Sequence, residues 1–398
     1  MRIGIDARFL THPQTGGFKT YTVNLISALA EVDSENEYIL YLDRIPNSET
    51  LLPSEPNFSY RVIEGQVPMV GMFWREQVRL SQAAIRDHIE LLHSPCLTAP
   101  VYLPCPSVVT IHDTIWRSPE IYAKRKRLPA HRRLMELYYR YIPELAVKRA
   151  SVVITVSQAA KKSIIEQLGL PSGQIQVTYE AASRIFHPVT GFEQIVSIRR
   201  KYGLSKNFIL AIGSADPRKN IATLIQAYGL LPARLRDRNE LAIVWNHPTL
   251  VSDMVEQVET MGLADKVHFL NQVSSEDLAV LYNTASLFVF PSLYEGFGLP
   301  LLEAMSCGAP VIAADNSSIP EVAGDAALLV KAEDTESLAR FIREILQDEA
   351  LRRKLSEKGL QRAKCFSWKK CGCETVSAYQ KAVIPGPDRI FSVQKNCA

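Results

Sequence analysis

Long hydrophobic runs are absent: nowhere in the 398 residues do 18 consecutive apolar positions occur, so no membrane-spanning helix is expected. An excess of charge of either sign is missing too, and a net charge of +3 gives nucleic acid no reason to bind. Cysteine is sparse. Seven residues, an odd number without framework spacing, exclude a disulfide scaffold and point to a reducing, cytoplasmic setting. Cys371-Gly-Cys373 is a two-residue step, too short for a zinc knuckle. The three-glycine dinucleotide fingerprint is incomplete at Gly16-Gly17 and lacks its following acidic residue, which disfavours a nicotinamide dehydrogenase. The opening Met1-Arg-Ile-Gly-Ile-Asp6 reads as a first strand entered at once, not as a signal peptide.

What is present is the composition of a globular protein, 47% hydrophobic and 22% charged, in a chain long enough for two domains. Apolar β-branched runs alternate with longer helical stretches from end to end. Candidate strands are 2–6, 38–43, 107–112 and 151–156, then 207–212, 240–245, 266–270, 286–290 and 310–314. Such alternation builds parallel sheets from βαβ units. The pattern runs twice, with a hinge at Phe186-His-Pro-Val-Thr-Gly-Phe192. The expectation is an α/β chain of two Rossmann-like domains facing across a cleft, residues 1–187 and 188–369. A C-terminal helix of about 370–398, with spacing clear over Trp368–Val383 and no clear pattern over 384–398, folds back on the first domain.

The most informative stretch is Glu295-Gly-Phe-Gly-Leu-Pro-Leu-Leu-Glu303. The strand Ser286–Pro291 feeds a Gly-Phe-Gly loop, and Pro300 then suits a first helical turn, where a missing N–H costs nothing. Glycines 296 and 298 let the backbone approach a ligand, and the helix start favours an anion. Glu295 can accept hydrogen bonds from the hydroxyls of one sugar. Glu303, in the first helical turn, can accept two from the vicinal hydroxyls of another. That layout suits a nucleotide-sugar, with the diphosphate over the helix start. The plainer alternative is a surface loop in which Glu303 only complements the helix dipole.

Other strand ends converge on the same ligand. Gly213-Ser-Ala-Asp-Pro-Arg-Lys-Asn220 follows a strand and opens a helix, and its Arg218 and Lys219 can neutralise a diphosphate. Asn271-Gln-Val273 lies where backbone groups can read a base. In the first half, Val108-Val-Thr-Ile-His-Asp113 delivers His112 and Asp113 to a strand end, and Gly16-Gly17 either lets backbone N–H groups approach a phosphate or is a flexible loop. Lys124-Arg125-Lys126-Arg127, with Arg132, Arg133 and tyrosines 138, 139 and 141, is a basic, aromatic stretch. It is either a solvated helix face or a dock for anionic lipid headgroups or a polyprenyl diphosphate acceptor.

With Pro217-Arg-Lys-Asn220, Glu295 to Glu303 and Pro310-Val-Ile-Ala-Ala-Asp-Asn-Ser-Ser-Ile-Pro-Glu321, supported by Gly16-Gly17, Ile111-His-Asp113 and Ile154-Thr-Val-Ser157, the chain resembles the retaining glycosyltransferases of family 4, with the GT-B fold. The resemblance covers nearly the whole chain. It implies transfer of a hexose from a nucleoside diphosphate sugar, UDP-hexose favoured and GDP-mannose next, to a hydroxyl of a glycan or lipid-linked acceptor in polysaccharide biosynthesis. No cofactor and no obligatory metal are implied. His112 and Glu295 take the catalytic positions. Gly17, Arg218, Lys219, Gly298 and Leu299 attend the diphosphate; Glu295, Gly296, Phe297 and Gly298 the sugar; Glu303, Asn271, Gln272 and Val273 the nucleoside. Asp113, Lys124 and Arg125 fall on the acceptor side, and the setting is cytoplasmic, at the membrane face.

Four departures from that family stand out. Ser214 occupies the position where relatives carry Arg. Trp245-Asn-His and Asn271 stand where glycines are usual, and Val177-Thr-Tyr-Glu-Ala-Ala182 lacks an Asn-Gly turn. The competing readings are a nucleotide-sugar epimerase or hydrolase on the same fold, and a non-catalytic nucleotide-sugar binding subunit. Intact His112, Glu295 and Lys219 weigh against the second.

Overall fold

A computed structural model describes residues 1–13, 16–65, 71–117, 130–189, 191–245 and 252–384. The chain separates into two compact units, Met1–Glu180 with Ser367–Ala398, and Ala181–Phe366. Each is a Rossmann-like parallel sheet with helices between its strands.

Among the described residues the first unit carries seven strands: β1 (Arg2–Ile5), β2 (Glu37–Leu42), β3 (Phe58–Val62), β4 (Leu91–Ser94), β5 (Ser107–Ile111), β6 (Val152–Thr155) and β7 (Ile175–Val177). Their order is β3-β2-β1-β4-β5-β6-β7, and every pairing is parallel. The second unit has β8 (Phe208–Gly213), β9 (Glu240–Trp245), β10 (Val267–Leu270), β11 (Leu287–Phe290), β12 (Val311–Ala314) and β13 (Leu328–Val330), in the order β10-β9-β8-β11-β12-β13. Both are doubly wound. The direction of winding reverses at β1/β4 in one sheet and at β8/β11 in the other, and ligands of such sheets bind at the carboxyl ends of the strands flanking that reversal.

β3, β4, β7 and β13 go unpredicted by the strand pattern. Leu91-Leu-His-Ser94 and Leu328-Leu-Val330 are only four and three residues long. β7 is Ile-Gln-Val, and β3 lies at a sheet edge with its three central residues exposed. Runs this short show no period of their own, and their pairing comes from neighbouring strands.

Helices start and stop on recognisable chemistry. Ser157 accepts a hydrogen bond from the Ala160 N–H at 2.9 Å, opening the helix Gln158–Leu168, and Gly169 closes it with φ of 67°. The last described helix, Trp368–Val383, buries Cys371, Thr375, Ala378, Tyr379 and Ala382 along one face. It packs on the helix Gly17–Val32, where Gly372 lies so close to the Ala28 backbone that an added Cβ would sit 3.2 Å from it. Tyr379 Oη joins His93 Nδ1 of β4 at 2.7 Å, which ties this helix to the first sheet.

Candidate active site

In the second unit the reversal point places two loops side by side. After β8, residues Pro217–Lys219 make one 3-10 turn, opened by Asp216 and closed by Asn220 with φ of 53°. After β11, residues 291–298 run to the helix Leu299–Ser306. Backbone and side chains knit the loops together. The Leu293 N–H donates to the Arg218 carbonyl at 2.7 Å, and Asn220 Nδ2 donates to the carbonyls of Pro291 at 3.1 Å and Ala332 at 2.7 Å. Ser318 Oγ donates to the carbonyls of Glu295 at 2.9 Å and Phe297 at 2.8 Å, fixing the Gly-Phe-Gly turn. Gly298, with φ of +106°, turns the chain into the helix in a conformation that a side chain would strain. At the end of β8, Gly213 lies under Trp245 of β9, and a Cβ there would sit 2.6 Å from the indole.

Lys219 Nζ pairs with Glu295 Oε1 at 2.6 Å and sits 5.3 Å from the centre of the Phe290 ring. Both partners are mostly buried, with side-chain exposures of 17% and 13%. Arg218 forks onto its near neighbour, its guanidinium bonding Asp216 Oδ2 at 2.7 and 2.8 Å while its own N–H bonds Oδ1 at 3.0 Å. Burial pushes the Asp216 carboxyl up, but the hydrogen bond and charge of Arg218 outweigh it and hold the group below its ordinary range. Ser214 Oγ accepts the Asp216 N–H at 3.2 Å, so this serine shapes the turn.

One helical position needs correction. Leu299 begins the helix, so Glu303 is its fifth residue and opens the second turn, not the first. Side chains in a helix lean toward its N-terminus, so Glu303 still points back toward the loop. It is buried and accepts from Tyr282 Oη at 3.3 Å. Gly296, Phe297 and Gly298 are buried, and Phe297 packs on Phe366 with ring centres 5.7 Å apart. Asn271, Gln272 and Val273 follow β10 at the sheet edge; Asn271 and Gln272 are exposed, and Gln272 has φ of 53°.

In the first unit, His112 follows β5 and is held on both sides. Nδ1 lies 3.1 Å from Glu180 Oε1, and Nε2 lies 3.0 Å from the Pro95 carbonyl. The Tyr21 and Phe18 rings meet it edge-on, with centres 4.5 and 5.3 Å away. Burial pushes the imidazole down. Hydrogen bonds to Cys96 and Glu180, and their charge, raise it further, to about 10. Asp113 Oδ1 accepts the Ile115 N–H at 3.0 Å and so caps the turn that follows. Gly17 is the first residue of an exposed helix start with open space where a Cβ would be. Lys124, Arg125, Lys126 and Arg127 lie outside the described residues, as do Asn246, His247 and 385–398.

Three contributors escape the sequence reading: Glu180, Tyr282 and the buried network after β1. In that network Asp6 meets Arg8 at 2.8 Å and Arg75 at 3.0 Å, Arg8 meets Glu76 at 2.5 Å, and Thr98 and Tyr138 donate to Glu76. Glu180 had one visible signal, the missing Asn-Gly turn around it. Among the described residues, no group of three or more His, Cys, Asp or Glu side chains is assembled to hold a metal ion.

Residues 195–362 match the glycosyl transferases group 1 family, and residues 15–181 match glycosyltransferase family 4. The O-antigen chain mannosyltransferase B of Escherichia coli is 32% identical over 392 residues, which cover 96% of this chain and 100% of the relative. The MMP alpha-(1->4)-mannosyltransferase of Mycolicibacterium hassiacum is 32% identical over 297 residues, 70% of this chain and 66% of the relative. Among solved structures, the sucrose-phosphate synthase from Thermosynechococcus elongatus aligns with a TM-score of 0.73 at 23% identity, over 96% of this chain and 98% of that one. The last likeness speaks for the fold.

Proposed function

Because the chain belongs to the glycosyltransferases, with a family 4 first half and a group 1 second half, we propose that it moves a mannosyl group from GDP-mannose to a hydroxyl of a glycan or lipid-linked acceptor in polysaccharide synthesis. The observation that carries this reading is the Lys219–Glu295 pair at the winding reversal, beside a helix start shaped for an anion. From the sequence a UDP-hexose comes first as donor. The mannosyltransferase names of both relatives favour mannose, and with it GDP-mannose.

In this reading Lys219 leaves Glu295 for the donor diphosphate, and the freed carboxylate accepts hydrogen bonds from the sugar hydroxyls. The backbone around Phe297 and Gly298 positions the same sugar, and Glu303 takes the ribose. Arg218 contributes charge while holding the turn through Asp216. The leaving phosphate oxygen accepts the proton of the attacking acceptor hydroxyl on the same face, so configuration is retained. One relative carries an α-linkage in its name, and GDP-mannose is itself an α-glycoside, which supports retention. Lys219 and the helix start neutralise the phosphate charge without a divalent ion.

The test is thermal shift and transfer with a panel of GDP- and UDP-sugars. A ligand at 100 times its dissociation constant adds about 2.7 kcal/mol of stability. GDP-mannose should give the largest shift and an α-linked product, with activity surviving EDTA. A larger response to a UDP-hexose would restore the donor order read from the sequence.

Acceptor recognition is assigned to the first unit. No described helix is long and apolar enough to cross a membrane. The helix Ala130–Arg149 exposes Leu137, Tyr141 and Leu145 at four-residue intervals, with Arg140 and Lys148 also exposed, which suits contact with an anionic bilayer. Co-sedimentation with anionic vesicles should be strong at low salt and weaker at 1 M, where the Debye length is about 3 Å. Changing Lys124, Arg125, Lys126 and Arg127 to Ser should weaken it, and equal sedimentation of both proteins would remove the membrane role.

A further inference from the structure

Each ring nitrogen of His112 faces an oxygen that accepts. A neutral imidazole has one N–H and one lone pair, so it can satisfy one acceptor and repels a second. Here Nδ1 faces the Glu180 carboxylate at 3.1 Å and Nε2 faces the Pro95 carbonyl at 3.0 Å. A backbone carbonyl cannot donate. Only the doubly protonated ring gives both partners a hydrogen when Glu180 is ionised.

We infer that Glu180 and the Pro95 carbonyl lock His112 as an imidazolium, a fixed cation rather than a proton acceptor, and that Glu180 is therefore a positioning residue for the transfer reaction. The consequence for catalysis rests on the glycosyltransferase reading; the protonation state rests on the first unit alone.

The surroundings agree from every side. Among the described residues, the titratable groups facing the ring are Glu180 after β7, Cys96 after β4 and Tyr21 on the helix Gly17–Val32. His93, on β4, feels the charge of His112 from farther away. Burial pushes His93 down to about 3, and the His112 cation pushes the same way. His93 is held by hydroxyls, Tyr379 Oη at 2.7 Å and Thr110 Oγ1 at 2.9 Å, which can serve a neutral ring as donor or acceptor. The two histidines thus sit in opposite environments, one suited to the cation and one to the neutral form. With both nitrogens engaged, the His112 ring offers a ligand only carbon and positive charge. It cannot take the acceptor proton, so its catalytic part is electrostatic.

The experiment reads the ring directly, in the full chain with 15N-labelled histidine, without donor or acceptor. His112→Asn identifies the signal. Both nitrogens of wild-type His112 should remain protonated through pH 8 and titrate only near pH 10. Glu180→Gln should lower that midpoint by about 2 units or more, and Glu180→Asp, which keeps the carboxylate, should recover part of the shift. A neutral His112 ring at pH 8, or a midpoint unmoved by Glu180→Gln in a folded protein, would overturn the inference. In transfer assays, wild-type kcat should be flat from pH 6.5 to 9, whereas Glu180→Gln should lose kcat as pH rises, with partial rescue in Glu180→Asp. An unchanged pH profile in Glu180→Gln would remove the positioning role. Wild type without mannosyl transfer would count against the proposed function alone, because the ring spectra are read without it.

Discussion

The two units treat charge in opposite ways. Among the described residues, the first buries Asp6, Arg8, Asp33, Arg75, Glu76, Asp87 and Glu180, while the second buries Glu303 alone and keeps Lys219, Glu295, Arg218 and Asp216 partly exposed. A buried ion in a protein must be paired, because removing one partner strands the other in a poor solvent. Charges sealed this way define one arrangement and resist exchange. The pairs at the winding reversal of the second unit keep contact with water. The first unit seals its charge in the core, and the second leaves its pairs within reach of solvent.

The largest effect should come from breaking the sealed network. Arg8→Met leaves Asp6 and Glu76 short of a cation and should destabilise the first unit by about 3–5 kcal/mol in denaturant unfolding. A change below about 1 kcal/mol would mean that the network exchanges with solvent after all.

Next is pH. His112 is raised to about 10, so its contribution is complete below its unfolded value of about 6.5 and is lost as pH rises through 10. His93 is depressed to about 3, so its contribution is present above about 6.5 and is lost as pH falls toward 3. Together they put the maximum stability of the first unit near pH 6.5, with a slope of at most about 1.4 kcal/mol per pH unit from each. Denaturation midpoints from pH 4 to 9.5 check this, and Glu180→Gln should flatten the alkaline side.

In the second unit the effect should fall on binding rather than folding. Lys219→Ala should weaken nucleoside diphosphate binding by about 1.5–3 kcal/mol, more than Arg218→Ala, whose guanidinium already has Asp216 as partner. Calorimetry with GDP decides the order, and a larger loss for Arg218→Ala would move the diphosphate toward it. Smaller still, Glu303→Ala should cost about 1 kcal/mol in affinity for bare GDP, whereas Glu295→Ala should leave GDP binding nearly unchanged and reduce affinity for the sugar-bearing donor. Equal binding of bare GDP by both variants and wild type would remove the ribose role from Glu303. At the bottom of the scale, Lys358→Ala breaks an exposed pair with Asp325 and should change stability by less than about 1 kcal/mol.

Much of this molecule was legible along the chain. Apolar β-branched runs, proline and glycine punctuation and helical spacing are local properties, so they announced parallel α/β architecture, nine of the strands and the strand ends that carry Lys219, Glu295 and His112. Helical spacing over Trp368–Val383 was visible and coincides with the last described helix, while residues 385–398 of the expected 370–398 helix lie outside the described residues. The four remaining strands were too short or too exposed to show a period. What only the tertiary structure decided is which of these strand ends meet. His112 finds Glu180 across 68 positions, Tyr379 finds His93 across 286, and Arg8 joins Glu76 across 68. Those partners follow from strand order and helix docking, which the packing of whole sheets selects and no short window of sequence encodes. A charge reads the same in the sequence whether it ends up sealed or exposed, because burial is a property of everything packed around it.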